Sequence, residues 1–432
     1  MNHITTFLAG LALCSITAQA QSNPEAAATS VLAPKQAPKA NIQLAILLDT
    51  SNSMDGLINQ ARAQIWKIVN ELTLARQNGQ LPNIQIALYE YGNSRLPVES
   101  GWIRQVLPFT DDLDAVSEQL FALQTSGGTE LCGDVIAQAT RELAWNKDDP
   151  EALKLVFIAG NENFDQEKGS SYETNQLNSI SGKNHSSKVE AKEPTYKGAL
   201  KTALENGITV NTIYCGSMND VDAILWKTAA RQADGTYASI DQNSTPPDPE
   251  TPMDKELASL SEALNKTYLA YGSRTMQEMR LNNQAMQDSN AAGIGYGAAA
   301  SRASAKASKV AYRNTSWDLV DRFENPDTFT LDSIGGADNL PDELKGKTEQ
   351  EIKDYISEKS KERNNLQKQV QELSGKRAQW ISDYRKKQSD AGTREKTLDD
   401  AILETVRNQA KNKNFRFEKQ ATSSQPETPS AP

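Results

Sequence analysis

Histidine is almost missing from this chain: two in 432 residues, His3 and His185. His3 falls in the leader described below, so a Ser-His-Asp triad could be built only on His185. That residue sits in a Ser-, Asn- and Lys-rich stretch and reads as a solvated side chain. No G-x-x-x-x-G-K phosphate loop is present. Together these absences lead to the expectation that the chain is not an enzyme. Positive charge is in deficit too: 46 Lys and Arg against 56 Asp and Glu, a net charge of -10. A nucleic-acid or anionic-membrane binder needs a basic face, so neither partner is expected; a protein that handles cations is. Past the N-terminus no apolar run approaches the roughly 20 residues that span a bilayer, so no transmembrane segment is expected. Cysteine is scarce as well, with Cys14, Cys132 and Cys215. The last two invite a disulfide in an exported protein, with two buried free thiols as the alternative.

What is present begins with a leader. An apolar run from Phe7 to Thr17 leads to Ala18-Gln19-Ala20, a cleavage pattern, although Met1-Asn2-His3 lacks the usual Lys or Arg. Residues 1–20 therefore read as a signal peptide and the protein as exported, to the periplasm. A lipid anchor on Cys14 is the lesser alternative, because Leu13 is bulky where a lipobox wants a small residue. Residues 21–40 are an Ala- and Pro-rich linker. Hydrophobic residues make up 38% and mean hydropathy is -0.62, so part of the length belongs to solvated helix or tail.

From residue 41 the pattern alternates. Strand-length apolar runs at 42–48, 84–91, 102–109, 153–159, 208–215 and 236–240 are separated by helical periodicities at about 57–72, 113–123, 133–145, 196–206 and 221–233. The run at 102–109 follows its predecessor by a short connection and reads as antiparallel to it. This order predicts an α/β fold: an open, mostly parallel Rossmann-like sheet with helices on both faces, ligands sitting at the carboxyl ends of the strands. The sheet region ends near residue 242. A Pro-rich linker (243–252), a helical region (253–325), a loop (326–347), a long helix or coiled-coil hairpin (348–416) and a disordered tail (417–432) follow. In the long helix Ile352, Ile356, Leu366, Val370, Leu373, Trp380 and Tyr384 keep a three-four repeat, broken by Lys359, Arg363 and Arg377. Arg302, Lys306, Lys309 and Arg313 form either a basic binding face or one solvated face of a packed alanine-rich helix.

Chemistry concentrates where the first strand ends, at Asp49-Thr50-Ser51-Asn52-Ser53. One carboxylate and two hydroxyls are hard oxygen donors that suit Mg²⁺ or Mn²⁺ better than calcium, which wants more carboxylates. Helix capping by one of these side chains is the plain alternative. A second element, Ser126-Gly127-Gly128-Thr129-Glu130, lies between two helices. With both in place the sequence resembles the von Willebrand factor type A domain and its metal-ion-dependent adhesion site over about residues 41–242. The resemblance implies that Asp49, Ser51, Ser53 and Thr129 ligate a metal. The family adds an aspartate after the fourth strand, where this chain reads Ile158-Ala159-Gly160-Asn161-Glu162-Asn163. Gly160 takes the aspartate's place, leaving Asn161 or Glu162 to supply the missing donor. The same resemblance puts Cys132 and Cys215 at the carboxyl end of the sheet, which favours their pairing.

The function these features lead to expect is metal-dependent protein binding of an adhesion or assembly type. The ion would accept an acidic residue of an unidentified partner protein; the insert at 165–193 reads as a disordered excursion, with a role in partner choice as the lesser alternative. A structural cell-envelope scaffold, self-associating through its C-terminal helices around a vestigial metal site, is the alternative.

Overall fold

The computed structural model describes residues 41–166, 195–241, 249–389 and 398–418. The leader, the first linker, His185 with most of its insert, most of the Pro-rich linker and the tail beyond residue 418 lie outside these.

Six strands form one sheet in the order β4-β3-β1-β5-β6-β7. They are β1 (Asn41–Asp49), β3 (Asn83–Tyr91), β4 (Ile103–Thr110), β5 (Leu153–Gly160), β6 (Thr209–Cys215) and β7 (Tyr237–Ile240). All neighbours run parallel except β3 and β4. The expected antiparallel edge is thus present. β1 and β5 lie at the centre, are buried on both sides and read as continuous apolar runs for that reason.

Alternation along each strand divides the core. Ile42, Leu44, Ile46 and Leu48 of β1 join Leu155, Phe157 and Ile213 on one face, under α1 (Asp55–Leu72) and α2 (Leu113–Ala122). Ala45 and Leu47 join Val156, Ile158 and Val210 on the other, under α3 (Cys132–Glu142), α4 (Tyr196–Glu205) and α5 (Val221–Gln232). Asp112 caps α2 by accepting from the Ala115 amide at 3.0 Å, and Thr195 caps α4 in the same way.

The C-terminal half closes back on the first face. Its helices are α6 (Asp254–Asn265), α7 (Arg274–Ile294), α8 (Tyr296–Lys306), the single turn α9 (Leu319–Arg322), α10 (Glu349–Ser389) and α11 (Leu398–Lys411). Gly295 reverses the chain between α7 and α8 at φ +143°, where a side chain would be strained. Alanines let α8 approach its neighbours closely. Ala305 joins the core over α1, while Ala300 and Ala303 meet Leu257, Leu264 and Val370 of α6 and α10. A third cluster gathers Leu319, Val320 and Phe323 with Ile352 and Ile356. All described residues belong to one compact unit, and no described helix is long and apolar enough to cross a membrane.

Three expectations are corrected here. Arg302 and Lys306 form neither a basic binding face nor a solvated one: both are buried. Arg302 pairs with Asp114 of α2 at 2.7 Å and with Asp288, and stacks over Trp66 at 4.7 Å; Lys306 pairs with Asp288 at 2.8 Å. The close packing that alanine permits removes water, so each cation must find a carboxylate. Secondly, α11 does not share a coiled-coil core with α10. Its Ile402, Val406 and Ala410 enter the core under α1, leaving Ile352 and Val370 of α10 to other clusters. Two of the three charges interrupting α10's repeat belong to buried ion pairs, Arg363 with Asp318 at 2.6 Å and Arg377 with Asp254 at 2.8 Å, while Lys359 pairs at the surface with Glu362. Thirdly, Phe417 is not tail. β8 (Phe415–Phe417) pairs antiparallel with β2 (Ala75–Gln77), two short strands that sequence periodicity missed.

Candidate metal centre

β1 delivers Asp49 to the carboxyl end of the sheet, fully buried. A single 3₁₀ turn (Asn52–Met54) then leads straight into α1. The turn brings Ser51 and Ser53 to the same side, their hydroxyl oxygens 3.4 Å apart. Neither serine caps the turn or the helix with its side chain. Capping by either serine therefore falls.

The loop after β3 and the glycine loop hold this turn in place. Thr50 donates from its amide to the Tyr91 carbonyl at 2.9 Å, and its carbonyl accepts from Ser126 N–H at 2.9 Å. Gly128 passes so close to Gly92 that a Cβ there would sit 2.0 Å from the Gly92 carbonyl oxygen. Only glycine allows that approach, and the approach carries Thr129 inward to complete burial. The result is a ring of oxygen donors in which Asp49, Ser51 and Thr129 are buried and Ser53 faces solvent.

Two of those oxygens are unpartnered by protein. Asp49 Oδ2 and Thr129 Oγ1 are buried without a hydrogen bond, a condition that costs about 1–3 kcal/mol for each neutral group and more for a charged one. Asp49 Oδ1 accepts from the Ser51 amide at 2.8 Å. Even so, burial pushes the Asp49 carboxyl up from 3.8 to about 7, the amide and hydroxyl of Ser51 holding it back and the charge of Glu162 adding to the rise. Glu130 goes higher, to about 9, by burial first and then by the charges of Asp49 and Glu162. Among the described residues, though, no three His, Cys, Asp or Glu side chains converge tightly enough to hold an ion alone. Any cation here would lean on hydroxyls, and the donors present, one buried carboxylate with Ser51, Ser53 and Thr129, fit Mg²⁺ or Mn²⁺.

The departure after β5 has a steric cause. Gly160 lies against the site: a Cβ there would come within 3.0 Å of Asp49 Oδ2 and 2.5 Å of the Tyr91 hydroxyl. Tyr91 is pinned by donating to the Ala159 carbonyl at 3.0 Å. An aspartate at 160 has no room while that tyrosine stays. Asn161 instead reaches the turn, its amide nitrogen donating to Ser53 Oγ at 3.2 Å. Glu162 is exposed and held by its backbone, whose carbonyl accepts from Trp226 Nε1 at 2.8 Å. Glu130 and Tyr91 were not singled out from sequence, although Glu130 directly follows Thr129 in the loop already marked.

Cys132 and Cys215 are both free and buried, so the expected disulfide is corrected. Both do sit at the carboxyl end of the sheet, but on opposite faces of it. Cys215 alternates into the α1 side, while Cys132 opens α3 on the other. Cys132 donates to the Tyr91 hydroxyl, 3.9 Å from its sulfur. Burial raises both thiols well above their usual range, which makes them poor nucleophiles.

No family model matches the chain, and no curated protein matches it either. Solved structures do. A von Willebrand factor type A protein from Catenulispora acidiphila is 18% identical over 47% of this chain, with a TM-score of 0.31. The von Willebrand factor domain of a type V pilus tip protein from Porphyromonas gingivalis is 13% identical over 47% of this chain and 91% of its own, with a TM-score of 0.31. A pilus adhesin from Lactobacillus rhamnosus GG is 13% identical over 59% of this chain, with a TM-score of 0.31. This chain spans only 39% of the first structure and 31% of the last.

Proposed function

We propose that this chain, an open α/β sheet of the arrangement that the von Willebrand factor type A resemblance implies, is a divalent-metal-dependent protein-binding module. Asp49, Ser51, Ser53 and Thr129 would hold Mg²⁺ or Mn²⁺, with Asn161 orienting Ser53 and Glu162 supplying outer negative charge. The bound ion would serve as a Lewis acid for a carboxylate of a partner protein. One observation carries the reading: Asp49 Oδ2 and Thr129 Oγ1, both fully buried, have no protein partner, and no helix cap uses Ser51 or Ser53. Oxygen donors so placed are costly unless a cation joins them.

The site's own residues favour binding over turnover. The two thiols nearby are buried and pushed well above their usual range, so neither is primed as a nucleophile at neutral pH. With only one buried carboxylate among the four donors, the bound ion keeps much of its charge and attracts an anionic ligand. Export and an adhesion or assembly role complete the proposal.

Calorimetry with Mg²⁺ and Mn²⁺ on the protein lacking residues 1–20, wild type beside Asp49→Ala, tests it. Saturable binding that Asp49→Ala abolishes supports the reading; equal heats from both proteins would remove it.

A further inference from the structure

On the helix that borders the cleft beside the metal centre lies largely exposed apolar surface. Met218, Val221 and Ile224 are 74%, 82% and 65% exposed, and no other large apolar side chain described is as exposed as these. They follow β6 directly. Met218 is in the connecting loop, Val221 opens α5, and Ile224 lies three residues on, on the same side of that helix. The proximity to the site rests on two contacts. Trp226 of α5 donates to the Glu162 carbonyl at 2.8 Å. Leu225, one turn on from Val221, borders the same open cleft as Glu130, Glu162 and Asp165. Outward from Asp49 the surface is therefore a ring of metal donors, then an acidic band, then a bulky apolar patch.

That order constrains the partner. A carboxylate alone would approach a cleft bordered by the exposed carboxylates of Glu162 and Asp165, both of its own charge. A basic side chain beside it would answer the band, as charge complementarity across interfaces requires. Beyond the band, apolar surface at the rim of a polar cleft is what a partner covers.

We infer that the partner is a polypeptide segment carrying, in spatial order, a carboxylate for the metal, a basic side chain over Glu162 and Asp165, and a bulky apolar side chain seated on Val221 and Ile224. The first group rests on the metal reading above; the other two rest on the cleft and the patch.

A random twelve-residue peptide library displayed on phage, panned on the immobilised full chain in Mg²⁺ and eluted first with EDTA and then with acid, tests this. Enriched peptides should combine an acidic, a basic and a bulky apolar residue. A synthetic peptide of the enriched sequence should lose about tenfold in affinity on the double variant Val221→Ser, Ile224→Ser, and all measurable binding on Asp49→Ala. Both exposed positions tolerate serine, so the double variant should melt with the wild type. Peptides that need Mg²⁺ and Asp49 but bind the double variant undiminished overturn the apolar seat and leave the metal reading standing. Peptides weakened by the double variant yet indifferent to EDTA and Asp49→Ala support the seat and overturn the metal reading. No enrichment over blank resin overturns the inference, and Mg²⁺ calorimetry then decides the metal site separately.

Discussion

Replacing Asp49 by asparagine removes a charge and keeps the side chain's size, and its effect on stability should change sign with metal. In the metal-free protein the Asp49 carboxyl sits at about 7 against an ordinary 3.8. The folded state therefore binds that proton more tightly than the unfolded state. The group's contribution is most favourable below about pH 4 and declines as pH rises, levelling off above about 7. A rise from 3.8 to about 7, at about 1.4 kcal/mol for each tenfold change in proton affinity, amounts to about 4 kcal/mol. Above pH 7 in chelator the wild type carries all of that cost. Asp49→Asn escapes it. Its carbonyl can still accept from the Ser51 amide, while the amide that replaces the second oxygen is buried without an acceptor and returns about 1–2 kcal/mol as loss. At pH 8 in EDTA the variant should thus be about 2 kcal/mol more stable in urea unfolding. At pH 5 the advantage should vanish. In Mg²⁺ at a hundredfold excess over its Kd, the wild type should gain about 2.7 kcal/mol and the variant nothing. A variant less stable than wild type in EDTA at pH 8 would refute the burial argument, and equal Mg²⁺ gains would refute Asp49 as a ligand.

Because a proton at about 7 competes with the ion at Asp49, Mg²⁺ affinity should fall about tenfold from pH 8 to pH 6 by calorimetry, and a flat profile would remove Asp49 from the site. Gly160→Ala places a methyl 2.5 Å from the Tyr91 hydroxyl and 3.0 Å from Asp49 Oδ2, so it should cost about 1–3 kcal/mol in thermal melts and at least tenfold in Mg²⁺ affinity. Arg363→Ala leaves Asp318 and Asp321 buried without their cation and should cost about 3–5 kcal/mol, read from urea unfolding. Reductant should leave the melting temperature unchanged, and Cys132 and Cys215 should react with a thiol reagent only after unfolding.

The sheet was legible because its central strands are buried on both faces, which forces continuous apolar runs at 42–48 and 153–159. The turn at Asp49, Ser51 and Ser53 was legible because residues two apart in a tight turn project together. Other features depend on contacts distant in sequence. Arg302 and Lys306 look like surface charges until Asp114 and Asp288, which periodicity cannot assign to them, close over them. Cys132 and Cys215 share an end of the sheet, but which face each occupies is set by strand register. The weight of Gly160 becomes visible only once Tyr91, far back in the chain, is seen to fill the space beside it.

The pairing of β2 with β8 has a consequence for how the chain is made. Residues 75–77 wait for residues 415–417, and Asn211 waits for Gln409 at 2.7 Å. Leu57 to Leu72 gain part of their outer cover from residues 398–411, more than 300 positions further along the chain. The amino-terminal sheet therefore reaches its final packing only once those residues have been made, and contacts of such long sequence separation form slowly. A truncation that removes residues 398–418 would strip that cover from a helix and a strand made early, and should register as loss of the whole cooperative transition rather than of one late segment.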